Sequence, residues 1–410
     1  MKPSPLLSDE RRLEDLLALS LGIMSGENGR ELYERYRDAV EQVTPYDMVK
    51  LEDRQLQMGI SPAEIKKDID KVINLLFKGL RNYPWKKPAE GSFLYYLMLE
   101  NQAFTFRLNC VKKIIKAYKG REETDLSALR EELWPHFEAF TVFEAHYAKK
   151  ENVLFPFLEK RWTNYRPLKV MWSLHDDIRR KLKELLVMLQ GQDTPWAELN
   201  KALGAYYFLV FGMIQKEDLV VYPMATETLP EEDWQEMHHQ SFEYAFPFIE
   251  APLPPRERET PGSSPVEGFG KDGEELLFKS ETGVLSFEQV LLLINTLPLD
   301  ITFVDENDKV RFFSRPADRY FARSPAIIGR DVGNCHPPES LHVVERIIEA
   351  FRKGEKDQAD FWLNLKGKFI LIRYFALRNA RGEYKGVLEV SQDATRIRSL
   401  QGEQRLLNWD

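Results

Sequence analysis

Two stretches end alike: KKENVLFPFLEK at 149–160 and QKEDLVVYPMATE at 215–227. Each runs charged pair, short apolar run, aromatic, proline, and their match through Pro156 and Pro223 points to an internal twofold repeat. Around them apolar residues recur at helical spacing in four long patterns, about 92–119, 126–162, 167–191 and 195–228, with a shorter one after Pro230. Four amphipathic helices of this length joined by short turns predict an antiparallel four-helix bundle.

Upstream, RRLEDLLALSLGIM, ELYERYRDAVEQV and PAEIKKDIDKVINLLFKGL predict three or four shorter helices broken at SGENG and MGISP. RNYPWKKPAEGS reads as the connection into the bundle. Downstream, APLPPRERETPGSSPVEGFGKDGEE at 251–275 is too rich in proline, glycine, serine and charge to bury a core. Beyond it the period changes: ITFVD, VRFFS, FWLNL, FILIRYFAL and GVLEVSQD are strand-like, with turns at ENDK and NARGE. The expected fold is multidomain and mostly α with a C-terminal α+β domain. It comprises a small helical domain at 9–84, the bundle at 91–250, a flexible linker at 251–282 and the α+β domain with a short C-terminal helix at 283–400.

A chain of 410 residues exceeds one ordinary core, and 43% hydrophobic with 30% charged residues supplies packed cores rather than a disordered polymer. A net charge of −8 disfavours electrostatic capture by nucleic acid or an anionic membrane surface. Cys110 and Cys335 stand alone, without zinc or disulfide spacing, as in a reducing compartment. The N-terminus turns polar before a signal-type apolar run forms, and no later stretch has the uncharged length of a membrane span. These features predict a cytoplasmic protein with no direct nucleic-acid or membrane partner.

Two strands, the helical excursion SPAIIGRDVGNCHPPESLHVVERIIEAFRKG, then a three-stranded meander ending in GVLEVSQDATRIRSLQGEQ resemble a PAS domain. Asp393 and Thr395 are expected to cap the handover from the last strand to the C-terminal helix. The resemblance implies a ligand of unknown identity, with haem as one option. Cys335, His336 and His342 lie on the segment from which haem-binding PAS domains draw an axial ligand.

HYAKKENVLFPFLEK from His146 and VMWSLHDDIRRKLK around His175 resemble the hemerythrin-like HHE cation-binding family. That resemblance implies non-haem iron, with His146, His175, Glu151 and Glu217 as the ligands this chain can assemble. Glu151 is five residues past His146, roughly 140° round a regular helix, so the two need not share a face. LEDRQLQMGISPAEIKKDIDKVINLLFKG is similar to the N-terminal part of a bacterial and archaeal family labelled domain of unknown function 438, in which such a domain precedes a bundle and a PAS domain. The chain departs from these relatives where chemistry would sit. Ser92 and Tyr95 stand where the first bundle helix should open with histidine, and Ile69 and Val72 replace a cysteine and a histidine. Met213 falls opposite His146 in the repeat.

No phosphate-binding glycine loop, nucleophile elbow, kinase signature or basic recognition helix is visible, so no catalytic motif is found. The expected function is sensory or regulatory, with a PAS-type ligand or redox event passed to a protein partner. The alternative is a non-haem iron protein handling oxygen, nitric oxide or iron. A homodimer is expected through FEQVLLLINTL at 287–297, which is apolar over more of its circumference than a small sheet covers.

Overall fold

A computed structural model of the chain describes residues 10–254 and 277–403, apart from 122, 163–165, 192 and 281–282. Most of the expected linker therefore lies outside the described residues. The chain divides at Pro254 into two compact units.

The first unit opens with α1 (Glu10–Met24), α2 (Gly29–Arg35), α3 (Arg37–Glu41), α4 (Pro45–Gln57) and α5 (Pro62–Arg81). α4 and α5 each start with a proline in the first turn and a capping box, Thr44 with Asp47 and Ser61 with Glu64. Arg12 holds the same Asp47 at 2.9 Å and so ties α1 to the start of α4. α3 and α5 meet at Gly79, where a Cβ would stand only 2.3 Å from the Val40 carbonyl oxygen.

The bundle follows. Its first helix is α6 (Phe93–Ala117). The second is a run of α7 (Leu126–Phe140), a 3-10 turn, α8 (Glu144–Lys149), a π-helical turn over Lys150–Leu154 and α9 (Phe155–Arg161). The third is α10 (Pro167–Gln190). The fourth joins α11 (Trp196–Lys216) through a second π-helical turn, Glu217–Val221, to α12 (Tyr222–Thr228), and α13 (Glu231–Ser241) closes the unit. Pro156 and Pro223 explain the wide turns. Proline has no N–H to donate and its ring crowds the carbonyl four residues back, which a wider turn relieves. Both π segments begin six residues before their proline, so the sequence repeat is a repeat of backbone geometry.

The second unit contains a hairpin, β1 (Leu277–Ser280) and β2 (Gly283–Ser286), then α14 (Phe287–Thr296). Its sheet is built from β3 (Asp300–Asp305), β4 (Val310–Phe313), β5 (Gln358–Leu365), β6 (Lys368–Arg378) and β7 (Tyr384–Asp393), in the antiparallel order β4-β3-β7-β6-β5. α15 (Pro338–Lys353) sits between the strand pair and the meander in sequence, and its Ile348 and Phe351 pack on Val304, Val310 and Val387. The closing pair acts as expected. The Thr395 N–H donates to Asp393 Oδ1 at 2.9 Å, and the Phe369 N–H donates to Thr395 Oγ1 at 2.7 Å. The multidomain, mostly helical fold with a C-terminal α+β domain is the one expected. Among the described residues no helix is long and apolar enough to cross a membrane.

Candidate functional site

The two π turns face each other across the centre of the bundle. Lys150 opens one and Glu217 the other, and the two side chains form a buried ion pair. The preceding Lys149 pairs with Glu100 of α6. His146 Nδ1 bonds Glu100 Oε2 at 2.6 Å, and its Nε2 lies 3.4 Å from Glu217 Oε2. His175 Nδ1 bonds Glu151 Oε1 at 2.7 Å, while its Nε2 stops 3.9 Å from Glu217 Oε1, beyond hydrogen-bond reach. Asn101 Nδ2 and the Tyr222 hydroxyl each donate to Glu217 Oε2 at 2.9 Å. Arg179 completes the set at 2.9 Å from Glu151 Oε2.

His146, His175, Glu151 and Glu217, drawn from the sequence, therefore gather in one core. Glu151, which need not share a face with His146, hydrogen-bonds His175 instead. Ser92 does not reach this core, because it is the N-cap of α6, accepting from the Tyr95 N–H. The sequence reading passed over three of the partners here, Lys149, Tyr222 and Arg179. The signal was present, since Lys149 and Lys150 stand with Glu151 and Asn152 just before the apolar run Val153–Leu158.

Electrostatics follows from this packing. Burial pushes the Glu217 carboxyl up, yet the Lys150 charge and the His146 hydrogen bond outweigh it and hold the group well below the usual range. Burial pulls the ammonium groups of Lys149 and Lys150 down, opposed by Glu100 and Glu217 respectively. Glu151 is held low by His175 and Arg179 against its burial. Asp218, beside this network, is pushed up to about 7 by burial and by Glu217.

A metal would need a cluster of free donors, and this donor set does not fit one. The carboxylate nearest both imidazole Nε2 atoms is Glu217, and its Oε1 is already held by the Lys150 ammonium. A divalent ion on the same carboxylate would stand within about 4 Å of that ammonium, a repulsion of about 8 kcal/mol at an effective dielectric of 20. Among the described residues no three His, Cys, Asp or Glu side chains are arranged as metal ligands.

In the second unit, cross-strand register sorts the sheet face that meets α15 into rows. Val304, Val387 and Ala376 form an apolar row in the core. Next come Thr302, Glu389 and Tyr374, then Asp300, Ser391 and Ile372. Directly opposed residues share a face, so the polar side chains lie together. Arg323 lies across them, 2.9 Å from Glu389 and 3.2 Å from Asp300. Burial pushes the Asp300 carboxyl up, against the pull of Arg323, and burial also raises the Tyr374 phenol. The hydroxyls of Thr302 and Ser391 are buried without a hydrogen-bond partner.

The residues singled out for haem lie elsewhere. His342 is exposed on α15, His336 Nδ1 bonds the Val332 carbonyl at 2.9 Å, and Cys335 packs at the edge of the apolar core. An axial ligand must aim at a cofactor in the interior, and the exposed His342 does not fit that role.

Comparison with known proteins agrees with both units. Residues 92–225 match the hemerythrin HHE cation binding domain, and residues 290–395 match a PAS domain. No curated protein matches the chain. Among solved structures, the C-terminal domain of a protein from Streptococcus mutans is 35% identical, over 31% of this chain and 98% of that one, with a TM-score of 0.30. A PAS domain from Colwellia psychrerythraea is 17% identical, covering 27% and 97%, with a TM-score of 0.22. A sensory box sensor histidine kinase from Vibrio cholerae is 15% identical, covering 26% and 92%, with a TM-score of 0.21. The chain therefore carries a region similar to the hemerythrin HHE cation binding domain, residues 92–225, followed by one similar to a PAS domain, residues 290–395.

Proposed function

We infer that this is a cytoplasmic sensory or regulatory protein whose PAS domain reads a small polar molecule and passes the change to a protein partner. The pairing of a PAS domain with a hemerythrin-type bundle supports a sensory or regulatory role. The polar end of the inner sheet face carries the reading. Arg323 bridges Asp300 and Glu389 beside two buried, unpartnered hydroxyls in a core that is otherwise apolar. Buried polar groups without partners cost stability, and a bound polar ligand offsets that cost. A ligand that binds one arrangement of Arg323 better than another shifts the domain between them.

Self-association through α14 belongs to the same reading. None of its residues is buried, and Leu292 and Leu293 are 59% and 56% exposed. A second copy of the helix is the complementary surface of matching chemistry.

Native mass spectrometry of the full chain tests the ligand. A retained small molecule that is lost in Arg323→Met supports the reading. A chain that carries no extra mass, and whose melting temperature is the same in Arg323→Met and Ser391→Val as in the wild type, removes it.

A further inference from the structure

The bundle matches a domain described by cation binding, yet two of its central carboxylates already have a cation each. Glu100 faces Lys149 and Glu217 faces Lys150, while Arg179 is shared by Glu151, Glu144 and Asp176. For the two lysine pairs the formal sum is zero without any ion. Each lysine is also seated as a cation would be. Lys149 Nζ lies between Glu100 and the face of Phe246, 4.1 Å from the ring centroid. Lys150 Nζ lies between Glu217 and the face of Tyr147, 4.9 Å from its centroid. A carboxylate on one side and a π face on the other form a cation seat, and here the occupant is covalently part of the chain.

We propose that Lys149 and Lys150 replace the metal ions of this bundle, their ammonium groups serving as built-in cations that fix Glu100 and Glu217. The two imidazoles fall into place on this account. Each uses Nδ1 to bind a carboxylate, Glu100 or Glu151, and turns Nε2 toward Glu217. The histidines thus keep the orientation that ligation asks for, while the ligated centre has become an ion pair. Such a bundle is indifferent to iron supply, oxygen and chelators, and it acts as a fixed body rather than as a redox centre.

The test uses the full chain. Metal analysis of purified protein is expected to find no stoichiometric iron, manganese or zinc, and EDTA is expected to leave the melting temperature unchanged. Lys150→Met removes the charge at nearly constant shape, leaves Glu217 buried without its cation, and is expected to lower the melting temperature by about 10 °C. Added Co²⁺ is expected to recover part of that loss in the variant, with a visible d–d absorption absent from the wild type. Should Lys150→Met fail to fold, the double variant Lys150→Met/Glu217→Gln, in which both charges are gone, is expected to fold and to melt above the single one. One or two divalent ions per wild-type chain, a fall in stability with EDTA, or a Lys150→Met as stable as the wild type would each overturn the proposal. A double variant no better than the single one, or a Lys150→Met that takes up no Co²⁺, overturns it equally.

Discussion

Lys216 and Glu217 are neighbours in the chain and point in opposite directions. Glu217 turns into the bundle to meet Lys150, while Lys216 turns out to Glu52 of α4, at 2.7 Å and with both side chains nearly inaccessible. The junction of α11 with its π turn therefore anchors two cores at once. Further ties between the N-terminal region and the bundle are more exposed, among them Lys66 with Asp177, Arg166 with Asp53, and the Tyr83 hydroxyl with Glu227.

Removing one member of the buried pair leaves the other desolvated, which costs about 3–5 kcal/mol. Glu52→Ala is therefore expected to destabilise the first unit by that order and to speed amide exchange in α4 and α5. Glu34→Ala, which breaks an exposed pair with Arg37, is expected to change stability by less than about 0.5 kcal/mol. Chemical denaturation of both variants checks the ranking, and equal effects would mean that the α4 contact is not a structural joint.

Asp218 supplies a pH test. Its folded value of about 7 lies above the ordinary 3.8, so the folded chain binds more protons than the unfolded chain between these values. The penalty for charging it is complete above pH 7 and is relieved as pH falls toward 4. Asp218→Asn is expected to raise stability by about 1–3 kcal/mol at pH 8, with the gain shrinking by pH 5. Melting curves of both proteins across this range decide, and a gain independent of pH would contradict the assignment. Glu217 and Glu151 have the opposite sign. Their contribution is full above the ordinary carboxylate value of 4.5 and is lost as pH falls below it through their lower folded values.

In the sheet of the second unit, Gly386 has φ +128°, and a Cβ there would lie 2.0 Å from the Val304 carbonyl oxygen. Neither the backbone angle nor the space admits a side chain. Gly386→Ala is expected to cost 3 kcal/mol or more, roughly the penalty of a severe core clash. A loss of near-UV circular dichroism confined to this variant would show it, whereas Gly402→Ala, in open space, controls for the effect of φ alone.

The exposed leucines of α14 make the dimer testable. Leu292→Glu/Leu293→Glu is expected to convert a dimer into a monomer at micromolar concentration in sedimentation velocity, with the fold intact. A wild-type monomer under the same conditions ends that reading.

Much of this was legible in the chain itself. Apolar spacing placed the bundle helices, the Pro156 and Pro223 motifs announced a repeat, and the strand run with Asp393 and Thr395 announced the PAS sheet, because period and turn chemistry are local properties of sequence. The resemblance to the HHE family put His146, His175, Glu151 and Glu217 forward together, although regular helical register set Glu151 roughly 140° from His146. What the sequence did not determine is what those residues face. A lysine beside a glutamate reads as a solvated surface pair until tertiary packing removes the water. Only the folded bundle decides that Lys149, the last residue of α8, and Lys150, the first of the π turn that precedes Pro156, are buried, because packing sets Glu100 and Glu217 against them where an unpaired charge is too costly to bury.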